Sequence, residues 1–194
     1  MKKLFAVLTL FLVLGISVNA QTRPMRVGGQ VGIGLPLGSF SDAFSTGFSF
    51  NGLFIYNLQP QLDLTGSLGY MKLGAKSVEG IASAEAKWSA VPLLVGARYS
   101  FPGGSSFTPY VTGELGLFFA SVSSTVTIDG FGGFGGGTYS ASASETDFAF
   151  VPGGGFTYPI SPNLLLDVNA KFNFILSGGT GTIIGVNAGV TYGL

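Results

Sequence analysis

Six charged residues stand at the polar positions of segments in which apolar and polar residues alternate. Two carboxylates could act as a general acid and base, with Asp63 and Asp167 as the candidates, and a row of charges could carry a proton or an ion. Charges of both signs could instead pair and stabilise a core. The set holds three of each sign, which favours pairing: Arg26, Asp63, Arg98, Glu114, Asp167 and Lys171.

The residue inventory removes most enzyme chemistries. The chain has no Cys and no His, so a thiol nucleophile, a Ser-His-Asp triad and a His-based metal site are excluded. The Gly-rich stretch 130–137 lacks the Lys and the spacing of a phosphate-binding loop. Without a nucleophile or a positioned partner, Asp63 and Asp167 do not make an active site. The sequence therefore predicts a protein that is not an enzyme and carries no cofactor and no metal.

The composition is unusual for a water-soluble domain. Of 194 residues, 9% are charged and 46% are hydrophobic, and the mean hydropathy is +0.52. Soluble domains carry about 25% charged residues. Removing Lys2 and Lys3, which lie in the leader described next, from the nine basic residues leaves seven against nine acidic ones. A mature chain near a net charge of −2 has no basic patch for nucleic acid.

The first twenty residues have the three parts of a secretory signal peptide. Lys2 and Lys3 precede an apolar run from Leu4 to about Val18, and Ala20 ends a small-x-small cleavage site. A transmembrane anchor is the alternative, but the run is shorter than the roughly 20 residues that a spanning helix needs. The sequence predicts a leader at 1–20, cleaved after Ala20, and one exported domain at 21–194.

Strand-period alternation dominates the rest of the chain. In 164–176 the residues Leu164, Leu166, Val168, Ala170, Phe172 and Phe174 alternate with Asp167, Asn169 and Lys171. Eight such segments are predicted, at about 25–37, 47–58, 61–73, 87–101, 107–122, 145–158, 164–176 and 182–194. Short connections at 59–61, 102–106 and 159–163 alternate with longer ones at 38–46, 74–86 and 123–144, and a short one lies near 177–181. This arrangement predicts an all-β, antiparallel, up-and-down barrel.

The position of the barrel depends on which face meets water. The non-apolar face carries few charges, whereas a water-facing surface carries about 25–35% of them. Aromatic residues cluster near the segment ends, as in the girdles of membrane barrels. We therefore predict a closed eight-stranded transmembrane β-barrel in the outer membrane of a double-membraned bacterium, in contact with outer-membrane lipid and lipopolysaccharide. A soluble exported barrel that binds a hydrophobic ligand, with its faces inverted, is the alternative.

On this interpretation the six charges line the interior. Glu114 and Lys171 each lie about seven residues from the short-turn end of their strands, so we expect them to share a layer and to pair. A second layer near the periplasmic mouth should hold Arg26, Asp63, Arg98 and Asp167. A bore of eight strands is filled by side chains, which predicts a structural role and no open channel. A small porin that passes small solutes is the alternative if the interior is looser.

The loops are the candidate interaction surface. The longest connection, 123–144, offers Phe131, Phe134 and Tyr139 for apolar contact with an extracellular partner. The connection 74–86 and its flank carry Lys76, Glu79, Glu85 and Lys87, and its lysines could meet lipopolysaccharide headgroups. The predicted function is therefore a structural or surface-interaction role.

Three features of the sequence resemble those of a known family. Residues 56–62 and 158–164 share the turn Tyr-x-(Leu/Ile)-x-Pro-x-Leu, Val91-Pro92-Leu93-Leu94 opens a strand, and the C-terminus alternates. Together they resemble the small eight-stranded outer-membrane barrels, the porin family that includes OmpX and the barrel domain of OmpA. The resemblance implies that the last strand, with Val190, Tyr192 and Leu194, signals to the outer-membrane assembly machinery. That family usually ends in Phe, whereas this chain ends in Leu194.

Overall fold

The computed structural model describes residues 25–78, 82–102, 106–128, 137–176 and 180–194, so the predicted leader at 1–20 lies outside the described residues. Among the described residues, no helix is long and apolar enough to cross a membrane. The elements in chain order are β1 Met25–Leu37, α1 Ser39–Ala43, β2 Phe44–Gln59, β3 Leu62–Ala75, β4 Ser77–Val78, β5 Ala82–Ser100, β6 Thr108–Ile128, β7 Gly137–Ser161, β8 Leu164–Leu176 and β9 Thr180–Gly193.

The strands close into a ring. Each long strand pairs antiparallel with its neighbours in the chain, β3 pairs with β5 past the two-residue β4, and β1 pairs with β9. At the seam, the ladder runs from Arg26 opposite Gly193 to Leu37 opposite Thr182, and the amide of Leu194 donates to the carbonyl of Met25 at 3.0 Å. The predicted antiparallel barrel of eight long strands is confirmed.

Apolar side chains cover the outside of this ring. On β8, Phe172 and Leu176 are exposed while Asp167 is fully buried. Val95 on β5 is 64% exposed, which would be costly in water if repeated around a whole surface. Large apolar residues on all eight long strands share this exposure. The alternative with inverted faces is therefore wrong, because the interior side holds the charges.

The two ends of the ring differ. Met25, Leu194 and the strand ends that flank the connections β2–β3, β5–β6 and β7–β8 lie at one end, called here the inner end, and the strand ends at the other connections lie at the outer end. At the outer end, α1 follows Gly38, which has a positive φ of 59°. The ring of Phe40 packs at 5.8 Å from Trp88 and at 5.4 Å from Phe44. The predicted loop 38–46 is therefore a short helix that packs on the interior of the barrel.

The outer half of the interior is apolar, and the inner half combines most of the buried polar side chains with the buried Leu53 and Ile55. The outer half is a cluster of buried apolar side chains, with Phe40 and Val122 packed against it: Phe44, Met71, Leu73, Trp88, Ala90, Leu94, Phe118, Ala120, Ala149, Val151, Ile175 and Ile183. This half of the bore is therefore filled by apolar side chains and holds none of the six predicted charges. A continuous apolar run such as Phe148 to Val151 is the sequence signal for this cluster. Both faces of the strand are apolar there because one face meets lipid and the other meets the cluster.

The predicted 123–144 loop is mostly strand. The β6–β7 ladder continues without a register shift to Ile128 opposite Gly137, and β5 follows β6 outward, with Ala82 opposite Ile128. Beyond the barrel both faces of a ribbon meet solvent. No apolar alternation then marks the strand, which is why the sequence pattern predicts a loop over 137–144.

Inward glycines lie opposite large polar side chains. Gly155 is in register with Asn169, and Gly153 is in register with Lys171. A Cβ atom at Gly155 would lie 2.8 Å from the Cβ of Asn169, and one at Gly153 would lie 2.9 Å from the Cγ of Lys171. These glycines leave the space through which Asn169 and Lys171 reach into the bore.

Replacing an inward glycine should therefore destabilise the barrel more than replacing an outward one. Gly155→Ala presses a methyl group against Asn169 and the carbonyl of Val168, and should lower the free energy of unfolding by about 1–3 kcal/mol. Gly113 faces outward, and a Cβ atom added there would have no other atom within 4 Å, so Gly113→Ala should be neutral or slightly stabilising. Urea unfolding of both variants in lipid vesicles measures the difference, and equal effects would contradict this packing.

Candidate functional site

Asp167 is the centre of a buried polar network. Its side chain has no exposed surface. Its Oδ1 accepts hydrogen bonds from Tyr110 Oη at 2.7 Å, Gln30 Nε2 at 2.8 Å and Asn169 Nδ2 at 3.2 Å. Its Oδ2 accepts from Arg98 Nη1 at 2.8 Å. These donors come from four strands, so one carboxylate ties β1, β5, β6 and β8 together.

Arg98 crosses the bore to reach Asp167. The two residues lie on β5 and β8, which are not neighbours in the ring, and both side chains are buried. The guanidinium carbon also lies 3.9 Å from the ring centroid of Tyr110, where a cation is attracted by the aromatic face. The ion pair is held by a hydrogen bond and by this stacking, and a buried charge of either sign would be costly alone.

Glu114 and Lys171 form a second ion pair. Lys171 Nζ donates to Glu114 Oε2 at 2.7 Å, and Thr65 Oγ1 donates to Glu114 Oε1 at 3.3 Å. The exposed fractions of the Lys171 and Glu114 side chains are 11% and 3%. The structure thus brings together the two charges that the sequence places in one layer, and this cluster joins β3, β6 and β8.

A row of amides connects the Asp167 network to β2. Asn187 Nδ2 donates to Asn169 Oδ1 at 3.0 Å. The Oδ1 of Asn187 accepts from Ser49 Oγ at 3.0 Å and from Asn51 Nδ2 at 3.3 Å. Because Asn169 also donates to Asp167, hydrogen bonds run continuously from β2 through β9 and β8 to Asp167.

Arg26 and Asp63 do not join the ion pairs. Asp63 is buried and accepts a hydrogen bond from Asn57 Nδ2 at 2.8 Å. Arg26 is half-buried at the inner end of β1. Within the described strands, neither residue forms an ion pair. Of the four charges expected in the second layer, Arg98 and Asp167 form an ion pair, and Asp63 lies opposite Arg98 in the β3–β5 ladder without pairing with it.

The neutral members of the network are not among the residues that the sequence predicts. They are Gln30, Tyr110, Asn169 and Asn187, and each is buried on the inward face of its strand. A signal is present on β8, where Asp167, Asn169 and Lys171 occupy successive inward positions. Taking the amides together with the charges would have identified one continuous polar layer.

The hydrogen bonds of the network join side chains of different strands. Both oxygens of Asp167 are occupied by donors, and Glu114 is engaged by Lys171 and Thr65. In the part of the chain that the structure describes, no group of three or more acidic, His or Cys side chains could hold a metal ion. Within the bore, Arg98 neutralises Asp167 and Lys171 neutralises Glu114.

A three-stranded ribbon projects from the outer end. It comprises the outer parts of β5, β6 and β7, since β8 pairs with β7 only from Phe148 inward. Of the predicted contact residues, Tyr139 lies on β7 and is 69% exposed. Phe131 and Phe134 lie outside the described residues. We call this ribbon the outer extension.

Two further surfaces concern the membrane. Val190, Tyr192 and Leu194 face outward and are exposed. At the outer rim, Lys72 and Lys87 are exposed, and Lys76 Nζ donates to the carbonyl oxygen of Ser41. The predicted Glu79 lies outside the described residues, as does the side chain of Glu85.

A closed eight-stranded barrel with an apolar outside and neutralised charges inside defines an outer-membrane β-barrel protein. The family follows from the sequence: the model of the outer membrane protein beta-barrel domain matches residues 6–193. The chain belongs to this family and resides in the outer membrane.

Known proteins agree with this assignment. Outer membrane protein PagN of Salmonella typhimurium is 30% identical over 79 residues, a match that covers 41% of this chain but only 31% of PagN. Neisserial surface protein A superposes with a TM-score of 0.57 at 18% identity, covering 88% of this chain and 97% of that structure. A major outer membrane protein from Thermus thermophilus gives 0.55 at 15% identity, covering 87% and 98%. The structural matches share the fold.

A double-mutant cycle at Glu114 and Lys171 measures the free energy that their interaction contributes to stability. Lys171→Met alone leaves a buried carboxylate without its cation and should lower the free energy of unfolding by about 3–5 kcal/mol. Glu114→Gln alone leaves the Lys171 ammonium group without its anion and should lower the free energy of unfolding by a similar amount. The double variant should recover most of the loss, because neither charge then remains. Urea unfolding in lipid vesicles gives all four values, and additive losses would show that the two charges act independently.

Proposed function

We propose that the protein is a non-enzymatic outer-membrane barrel with a side-chain-filled interior that acts at the cell surface through its outer extension. The observation that carries this proposal is the length of the β6–β7 ladder, which runs past the last β8 pair at Phe148 to Gly137. A barrel that served only as a membrane plug would need no such ribbon. Exposed loops and extensions are where scaffolds of this kind carry recognition.

The outer extension is suited to contact. Tyr139 presents an aromatic ring that can bury apolar area and donate a hydrogen bond, and residues 139–146 are all exposed. Phe131 and Phe134, which the sequence places in the same connection, are proposed to contribute to this surface. The partner on this view is an extracellular macromolecule.

The interior supports a plug more than a pore. The apolar cluster occupies the outer half, and the Arg98–Asp167 ion pair crosses the inner half. Interiors of eight-stranded barrels are just wide enough for side chains to fill them. The six interior charges, Arg26 and Asp63 included, are proposed to stabilise the barrel.

Two membrane contacts complete the proposal. Val190, Tyr192 and Leu194 supply the outward face of the last strand, which the outer-membrane assembly machinery would recognise. Lys72, Lys76 and Lys87 lie near the outer rim, where lipopolysaccharide carries its phosphate groups, and their ammonium groups would interact with those phosphates.

A planar-bilayer recording tests the plug. The wild-type protein, shown to be folded by its heat-modifiable gel mobility, should produce no stepwise current because the side chains leave no continuous water path. A known porin in the same bilayer serves as the positive control. Reproducible conductance steps from the folded protein would favour the small-porin alternative.

Shortening the outer extension tests the surface role. Val122 and Ala143 lie opposite each other, so removing 123–142 and joining them with Asn-Gly retains a two-residue hairpin. The binding of whole cells to an array of purified secreted and surface proteins measures the effect. Cells that carry this variant should bind at least one of these proteins at least tenfold more weakly than cells that carry the wild type. A second variant, with 129–136 replaced by eight Gly and Ser residues, keeps both ribbon strands. Binding that this variant retains is carried by the strands, and binding that it loses is carried by the 129–136 connection with Phe131 and Phe134. Identical binding profiles for the wild type and the shortened variant would contradict the proposed function.

A further inference from the structure

The lipid-facing side of the barrel has a hollow where β1 and β2 meet. Gly29 and Gly52 lie directly opposite each other in the β1–β2 ladder and form the floor of this hollow. In the same row, Val190 on β9 is opposite Gly29, and Leu68 on β3 is opposite Gly52. These two side chains bound the hollow at its sides. We call this space, which has a volume of about 600 Å³, the glycine hollow.

An aromatic cluster forms the wall of the hollow toward the outer end. The next row of outward side chains holds Val31, Phe50 and Tyr70. The ring of Phe48 packs edge to face with Phe50 at 5.5 Å between centroids, and it lies 6.4 Å from the ring of Tyr70. Because these rings restrain one another, the wall keeps its shape.

The hollow presents an apolar surface. Val31 and Leu68 are each 58% exposed. Gln30 and Asn51 also border the hollow, but their side-chain amides donate hydrogen bonds within the polar network of the bore. An occupant of the hollow is therefore held by apolar contact.

The packing of the barrel does not require glycine at the floor. A Cβ atom added at Gly29 would lie 3.9 Å from the nearest atom of another strand, and one at Gly52 would lie at 3.6 Å. The ladders of β1 show no register shift there, and in the described part of the chain the only glycine with a positive φ is Gly38. Glycine within a strand often marks a place where a ligand approaches the backbone closely. Inward glycines such as Gly155 make room for side chains of this chain, whereas the floor makes room for a group outside it.

The hollow lies at the depth of the inner leaflet. Gly29 follows Met25, the first residue of β1, by four positions. With a rise of about 3.3 Å per residue and a strand tilt of about 40°, the floor lies about 10 Å from the inner end. Val27 and Ile33 are exposed on either side of it along β1, so the hollow is within the apolar belt. The inner leaflet of an outer membrane consists of phospholipid, so acyl chains of phospholipids surround the hollow.

We propose that the glycine hollow binds one acyl chain of an inner-leaflet phospholipid and retains it longer than the rest of the apolar belt retains its lipid. On an even surface a chain touches the protein on one side only. In the hollow it touches the backbone of two strands beneath it and side chains around it, and these many weak dispersion contacts add up. The proposal goes beyond the surface role and does not depend on the outer extension.

A second copy of this chain fits the hollow less well. Two barrels are convex, so they would meet first at the projecting side chains of Val31, Phe50 and Leu68. The floor between those side chains would then stay empty. A flexible acyl chain reaches the floor without displacing the walls.

Filling the hollow tests the proposal. Gly29→Leu and Gly52→Leu each place an apolar side chain on the floor, where it faces lipid. The matched control is Gly113→Leu, which adds the same side chain to the outward face of β6, at a site where an added Cβ atom has no other atom within 4 Å. Because β6 lies across the ring from β1, this control leaves the hollow intact. Heat-modifiable gel mobility identifies the variants that are folded.

The measurement is photo-crosslinking of the full-length protein in lipid vesicles. The vesicles consist of palmitoyl-oleoyl phosphatidylethanolamine and phosphatidylglycerol, with a small share of phosphatidylethanolamine that carries a diazirine on one acyl chain. Mass spectrometry of the peptides locates the crosslinks. Native mass spectrometry of the protein released from the vesicles counts the phospholipids and the copies of the chain that stay together.

We expect crosslinks around Gly29 and Gly52 to exceed those around Gly113 at least fivefold, and we expect the wild type and Gly113→Leu to retain one phospholipid each. Both filling variants should lose the excess crosslinks and the retained phospholipid. Even crosslinking around the belt of the wild type overturns the proposal, and this result needs no variant to fold. Equal lipid retention by the wild type and a folded filling variant also overturns it. Paired copies of the wild type that separate in the filling variants would assign the hollow to a second copy and overturn the acyl-chain site.

Discussion

The hydrocarbon interior of a membrane offers no hydrogen-bond partner to a backbone amide or carbonyl, and this constraint governs the whole barrel. Every strand that crosses must be paired on both sides. The chain meets the requirement twice outside its ordinary hairpins: β3 passes β4 to reach β5, and β1 meets β9. By the same constraint, the part of β7 that is paired on one side only, Gly137–Asp147, should lie outside the hydrocarbon layer.

Closure with eight strands makes the bore narrow, and its contents follow from that width. Some large polar side chains enter beside a glycine of the neighbouring strand, as Asn169 does beside Gly155 and Glu114 beside Gly96. The charges then neutralise one another across the bore, because a single unpaired charge there would have little water around it. The inward glycines therefore leave the space that the longer polar and charged side chains fill.

The fold is easier to predict from this sequence than the site is. Alternation in 164–176 is enough to assign β8, because one face meets lipid and the other meets a polar bore. The Glu114–Lys171 contact can be predicted from the number of residues that separate each of the two from the short turn of its own strand. The Arg98–Asp167 ion pair is harder to predict. The Arg98 side chain crosses the bore to reach a strand that is not its neighbour, and the spacing of residues along one strand does not specify such a contact. Around Ala149 both faces of β7 are apolar, so alternation does not reveal the interior apolar cluster. Around Ala143 both faces of β7 are exposed, so alternation does not reveal the outer extension.

The connections at the outer end differ in what they touch. The segment between β1 and β2 is anchored: Phe40 packs on Trp88 and lies where a Cβ atom of Gly181 would be, and Lys76 donates to its backbone. In the described part of the chain, the ribbon of β6 and β7 has no comparable attachment to the bore beyond Val122. For anyone grafting foreign epitopes onto this scaffold for surface display, the β6–β7 hairpin is accordingly the permissive insertion point, and the β1–β2 segment is the one to leave intact.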